Sequence, residues 1–341
     1  RGNCQEIWGG HLIYRFYEKR LGDYDHITDS GFCLFDDLPE IILMSTVDQK
    51  ILDGLFRDIV KFRSSSQTSL VTLHAIIKGV ESLECDDDMF PAQIKEVCSI
   101  ITNSQPRMFP IDNLIILLEK ELEKNDYFRE KGLTVMKSAT IEIIEDLIER
   151  LKFDLRELAN QGHEHIDDGD FIVLHAVEEP VELLLPEARK MGKEFEVLIL
   201  RQDAVKTEQV INVMEQNSIK YTVIPEWDLI HFFGKVSKLF IGAYAITTDG
   251  KFVSDSGTSN IVSECHVHQL PIYLFAPVLE ITPTFSRDQN IYLKEESKSA
   301  SGLGYTLISH SSDIVSFDLV DHIITDQGEV NPENLAEHCT I

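Results

Sequence analysis

Basic residues are scarce in this chain. Lysine and arginine number 31 against 58 aspartates and glutamates, a formal charge of −27 over 341 residues. Phosphate backbones need a cationic surface, so this balance argues against direct nucleic-acid binding. It argues equally against an anionic membrane surface, and it suits a basic partner or simple solubility. Cysteine is sparse too: six, at 4, 33, 85, 98, 265 and 339, with no CxxC pair. Neither a zinc ribbon nor a disulfide framework is indicated, and a reducing, intracellular setting is expected. No run reaches the about 18 apolar residues of a membrane span. A basic start leading into an apolar stretch and a cleavage site is missing, so no signal peptide is read. The GxxxxGK[ST] order of a P-loop is absent, and no internal repeat stands out.

What is present is a 43% hydrophobic composition, enough for sizeable cores in about two domains. Residues 1–43 carry no sustained period. Met44-Ser45-Thr46-Val47-Asp48 resembles the start of an ordinary chain. Arg1–Leu43 is therefore read as a leader, an extension or a gene-model artefact, with a loosely packed N-terminal arm as the open alternative. From residue 44 to 162 the period is helical. Stripes run through Ile51–Val60, Leu70–Val80, Ile94–Ile101, Ile111–Leu122 and Val135–Leu158, with breaks at Ser64–Thr68, Asp86–Asp88 and Asn103–Pro106. The stripes at 51–60 and 141–155 exceed what one small helical domain needs, so part of them can bury against another subunit.

After the polar connector His163–Gly169 the period changes. Strands are expected at Phe171–His175, Phe195–Leu200, Tyr221–Ile224, Lys238–Gly242, Pro271–Ala276 and Asp321–Thr325. Helices are expected at Glu178–Met191, Ala204–Asn217, Trp227–Phe233, Gly257–His268 and Asn331–His338. Pro186 should bend or break the first of these. Alternating strands and helices imply a doubly wound parallel sheet covered on both faces. The fold class is thus α/β: an N-terminal all-helical domain, then a Rossmann-like sheet domain over 163–341. Residues 286–318 read as an irregular, Ser-rich surface excursion.

Few residues offer chemistry. Asp249-Gly250 and Gly257-Thr258 suit a phosphate cradle or, more plainly, a hairpin turn and a helix N-cap. His163, His165, Asp167, Asp168 and Asp170 have metal-ligating side chains, but their spacing fits no zinc or EF-hand pattern and a polar connector is the plainer reading. Cys265 and His268 share a helix face, more simply a partly buried one, with His266 in the same turn. The acidic runs Glu178-Glu179 and Asp86–Asp88 read as solvated faces. No metal or cofactor is expected.

The stretch VSKLFIGAYAITTDGKFVSDSGTSNIVSECHVHQLPIYLFAP, from Val236, carries the frame IGA-x-x-I-x-x-DG followed by GT. Near the end stands Asp326-x-Gly328-x-x-x-Pro332. These motifs resemble the family that joins methylthioribose-1-phosphate isomerase, ribose-1,5-bisphosphate isomerase and the regulatory subunits of eukaryotic translation initiation factor 2B. The resemblance runs from about Val47 to the C-terminus and is better from Phe171 on. It implies that the isomerases' cysteine falls at Ala176 and their aspartate at Tyr244. Alanine moves no proton, and tyrosine is a poor base near neutral pH. The family's Asn-Lys before Gly-Thr appears as Ser254-Asp255, so a phosphate at this helix N-terminus would meet a carboxylate. Arg201 is a candidate remnant of a phosphate-binding arginine, with Gly257 and Thr258 completing a vestigial pocket.

IPEWDLIHFFGKVSKLFIG, FAPVLEITPTF and the Ser-rich break after Phe62 look most like the beta branch, and Gly-Ala-Tyr departs from the Gly-Ala-Glu of alpha and delta. The resemblance implies a non-catalytic regulatory subunit of the guanine-nucleotide exchange factor acting on eukaryotic initiation factor 2. The expected partners are the alpha, gamma, delta and epsilon subunits and that factor itself. A divergent isomerase-like or nucleotide-binding protein and a free-standing homodimer stay open as alternatives.

Overall fold

Among the described residues, four α-helices precede the first strand. The computed structural model describes residues 64–104, 109–124, 132–282, 293–300, 303–310 and 312–335. The helices are α1 (Ser65–Ser82), α2 (Phe90–Thr102), α3 (Phe109–Lys124) and α4 (Leu133–Gly162). The stripe at 51–60 and the segment Arg1–Leu43 lie outside the described residues.

Ser64–Thr68, expected to break the helical pattern, instead starts α1. Ser64 is the N-cap and its hydroxyl accepts from the Gln67 amide at 3.1 Å, which satisfies an orphan donor of the first turn. Thr68, Ser69 and Thr72 are buried, and each hydroxyl donates to the carbonyl four residues back at 2.9 Å. Back-bonding of this kind lets small polar residues sit inside a helix without unmet hydrogen bonds. Below them Leu73, Ile76 and Val80 join Phe90, Ile94, Leu114, Leu118, Ile144, Ile148 and Leu151 in the core of the helical layer.

The chain then alternates: β1 (Phe171–Leu174), α5 (Glu179–Lys190), β2 (Glu196–Arg201), α6 (Ala204–Gln216), β3 (Lys220–Pro225), a 3₁₀ helix at Glu226–His231 and β4 (Lys238–Gly242). A hairpin follows, β5 (Ala245–Thr247) and β6 (Lys251–Asp255), then α7 (Thr258–Val267), β7 (Ile272–Phe275) and β8 (Ile281–Thr282). Next come β9 (Leu293–Ala300), β10 (Leu303–His310), β11 (Ser312–Ser316), β12 (His322–Thr325) and β13 (Gly328–Glu329). The main sheet has the order β13-β12-β7-β4-β1-β2-β3, parallel throughout except for β13. Strand order therefore reverses between β1 and β4, and in such sheets ligand crevices form at the carboxyl ends beside that point. A second sheet, β11-β6-β5-β8, lies at that end.

Several expectations need correction. Pro186 lies inside α5, which runs on to Lys190: one missing hydrogen bond is outweighed by burial of Val181, Leu184, Leu185 and Ala188 against the sheet. Residues 286–318 are not irregular throughout. They contain the β9–β10 hairpin, paired over eight residue pairs, and β11, which adds to β6. β9, LKEESKSA, carries too few apolar residues for an alternating pattern to mark it as a strand. Trp227–Phe233 forms the 3₁₀ helix Glu226–His231. Of the expected last helix, Asn331–His338, the described residues hold a 3₁₀ turn at Pro332–Asn334 and the helical Leu335, and the rest lies outside the described residues.

Candidate functional site

The crevice at the β1/β4 switch point collects most of the singled-out residues. Ala176 follows β1 and Tyr244 follows β4, and the Gly242 amide donates to the Ala176 carbonyl at 2.9 Å. The two positions thus meet across adjacent strand ends. Ala176 takes φ 47 and its amide donates to Gln202 Oε1 at 3.1 Å. Gly242 admits no side chain, since a Cβ there would stand 2.6 Å from that of Glu178. The acidic pair at 178–179 is therefore not a solvated face: Glu178 is buried, drawn under the strand by this close approach.

The centre of the crevice is filled by the chain itself. The Lys206 ammonium, from the first turn of α6, donates to both carboxylate oxygens of Asp255 at 2.7 and 2.9 Å and to the Tyr244 hydroxyl at 2.8 Å. The Tyr244 hydroxyl donates in turn to Asp255 Oδ1. Burial pulls the Lys206 ammonium down, but the Asp255 carboxylate outweighs it and holds the cation. Burial, then the charge of Asp255, pushes the Tyr244 phenol well above its usual range, so it stays a neutral donor. Burial raises Glu178 to about 8, against the opposing pull of Lys206.

The α7 N-terminus, where a phosphate would sit, is also taken. One Asp313 carboxylate oxygen accepts from the Gly257 amide at 3.0 Å, the Ser259 amide at 3.0 Å and the Ser259 hydroxyl at 2.7 Å. Helix N-termini favour an anion through exposed amides and the dipole, and here that anion comes from β11. Thr258 is buried and its hydroxyl donates to the Asp255 carbonyl at 2.6 Å. Gly257 has φ 96 and faces Glu226, whose carboxylate would lie 3.3 Å from a Cβ there.

Of the remaining candidates, Arg201 ends β2 and is exposed; the cation at the crevice is Lys206. Asp167 and Asp170 serve the buried ammonium of Lys238, at 3.2 and 2.8 Å. Among the described residues no group of three His, Cys, Asp or Glu side chains is arranged to hold a metal ion. Cys265 is buried, and His268 stacks on Phe233 at 4.0 Å between ring centres.

Sequence reasoning missed Lys206, Glu178, His175, Glu226 and Asp313. His175 was placed only as the end of a strand, and Asp313 in a supposed irregular loop. The available signal was positional: each follows or opens an element at the carboxyl edge of the sheet.

The fold and crevice define a class, an α/β chain with a helical layer before a doubly wound sheet, whose ligand crevice is occupied by its own charged side chains. The chain belongs to the Initiation factor 2 subunit family, whose model matches residues 61–332. It is 23% identical to translation initiation factor eIF2B subunit delta of Dictyostelium discoideum over 71% of this chain and 42% of that protein. It is 26% identical to a putative translation initiation factor eIF-2B subunit 2-like protein of Pyrococcus abyssi, over 75% of this chain and 89% of that one. The chain thus spans less than half the length of the delta subunit and most of the archaeal protein. Ribose 1,5-bisphosphate isomerase of Archaeoglobus fulgidus is similar at 19% identity over 80% of this chain and 87% of that enzyme. The fold matches a chain of the tetrameric eIF2B-beta2-delta2 complex from C. thermophilum with a TM-score of 0.69 and 16% identity, over 90% of this chain and 97% of that one. No helix among the described residues is long and apolar enough to cross a membrane.

Proposed function

We propose that this chain is a non-catalytic, beta-like regulatory subunit of the guanine-nucleotide exchange factor for eukaryotic initiation factor 2. It acts in the cytosol and couples the phosphorylation state of that factor to exchange. The observation that carries this reading is the filled crevice. Ala176 supplies no acid, and the neutral Tyr244 phenol is committed to Asp255 and Lys206. Asp313 occupies the anion seat at Gly257 and Ser259. An isomerase needs an open pocket with two proton-moving groups poised near neutral pH, and Ala176 and Tyr244 are the lost positions. Arg201, Gly257 and Thr258 are then a vestige.

In this reading the chain's work is contact rather than bond chemistry. The sheet domain, 163–341, pairs with related subunits, and the helical domain, 44–162, faces the substrate factor. Differential affinity for phosphorylated and unphosphorylated factor shifts the assembly between states. The test is to isolate the tagged chain from its native cells and identify stoichiometric partners by mass spectrometry. Recovery of alpha, gamma, delta and epsilon subunits is the expected result. A lone homodimer, or turnover of a sugar phosphate by the purified chain, would overturn the proposal.

A further inference from the structure

His175 sits at the end of β1 with its side chain fully buried. Its Nε2 lies 3.0 Å from the Thr258 hydroxyl oxygen. That hydroxyl has one proton, which it donates to the Asp255 carbonyl at 2.6 Å. Toward His175 it can therefore only accept, so the ring carries its proton on Nε2. Nδ1 is then a lone-pair acceptor. It has no aligned hydrogen bond, and 3.4 Å away lies Oε1 of Glu226, another acceptor. Two acceptors facing each other, one of them fully buried, repel unless something donates between them.

The gap decides what that donor is. A bridging water or ammonium needs about 5 Å or more between its two partners, and the space is 3.4 Å. A metal ion lacks a third ligand among the described residues. We propose that one proton, shared between His175 Nδ1 and Glu226 Oε1, clasps the 226–231 3₁₀ helix onto the end of β1, and that its loss releases this helix. This holds whichever assembly the chain joins.

The surroundings favour the proton. Glu226 is pushed up by burial and by the charges of Asp255 on β6 and Asp313 on β11. Burial pushes His175 down to about 4, opposed by the same two carboxylates and reinforced by Lys206 on α6. The proton thus rests mainly on Glu226 and donates to the imidazole. The released element is not bland: it carries Trp227 and Ile230, 74% and 48% exposed, and Phe233 just beyond it stacks on His268 of α7.

The test uses the full chain with ¹⁵N-labelled histidine, and a W8F background so that Trp227 is the sole tryptophan. The expected result is one His175 Nδ1 transition as pH rises from the ordinary carboxylate range through neutrality, with Trp227 emission changing over the same range. In E226Q the side-chain amide donates to Nδ1 at every pH, so both titrations disappear while the fold remains. A His175 Nδ1 signal that is flat across that range in the parent chain overturns the proposal. So does a Trp227 transition that persists in E226Q.

Discussion

The Lys206–Asp255 pair is where a single residue decides most. Its ammonium is largely enclosed and its two carboxylate bonds are short. Removing one member of a buried pair leaves the other charge uncompensated, at a cost of about 3–5 kcal/mol. Lys206→Met should lose that much in urea unfolding, and the K206M/D255N double variant should recover a substantial part of it. Additive losses would show that the pair does not act as a unit. Glu178 gives a pH-dependent counterpart. Folded, its carboxyl is raised to about 8; unfolded, it titrates near 4.5. Its contribution is therefore fully present below pH 4.5 and is lost as pH rises toward 8, at up to about 1.4 kcal/mol per pH unit. Glu178→Gln should flatten that part of the stability–pH curve. An unchanged slope would mean that Glu178 is ionised in the folded chain.

At the scale of elements, α4 crosses the sheet closely at its last residue. A Cβ on Gly162 would stand 2.8 Å from Leu184 Cδ2 and 3.0 Å from Phe275 Cε1. Gly162→Ala should therefore cost about 1–3 kcal/mol through overpacking, read from the shift in the denaturant midpoint. A stabilised variant would mean the neighbouring side chains yield freely. Element type was largely legible because apolar period reports burial directly: the Leu70–Val80 stripe and the run Lys238–Gly242 needed no tertiary knowledge. Failures came where a residue's role depends on a distant partner. Ser64–Thr68 looks like a break until the back-bonded hydroxyls are seen. Pro186 looks like a breaker until the burial of its helix is weighed. For the crevice, Tyr244, Gly257 and Thr258 were legible from one contiguous motif, and Ala176 from the family resemblance at the end of the first strand. Lys206, Asp313 and Glu226 come from three other elements, so only the fold could bring them to it.

At the scale of the whole molecule, the helical layer and the sheet domain are joined partly through a polar seam. The Ser65 amide donates to Glu178 at 3.1 Å and its hydroxyl to Glu280 at 2.6 Å. The Asn113 amide donates to the Leu279 and Ile281 carbonyls at 2.6 and 3.2 Å. All of these side chains are buried. Burial raises Glu280 well above its usual range, so both carboxyls at the seam are neutral near pH 7. Hydrogen bonds in a dry seam are worth little while made but expensive to orphan, about 1–3 kcal/mol for each group left unpaired. Asn113→Ala would remove both of these bonds at once. The loss should fall on the joint rather than on either core, because Leu114 and Ile115 on the same helix keep their packing. Hydrogen exchange should then show α1–α3 opening at a free energy below that of β1 and β4, whereas in the parent chain the two layers should open together. Equal losses in both layers would mean that the seam is not the boundary at which the molecule divides.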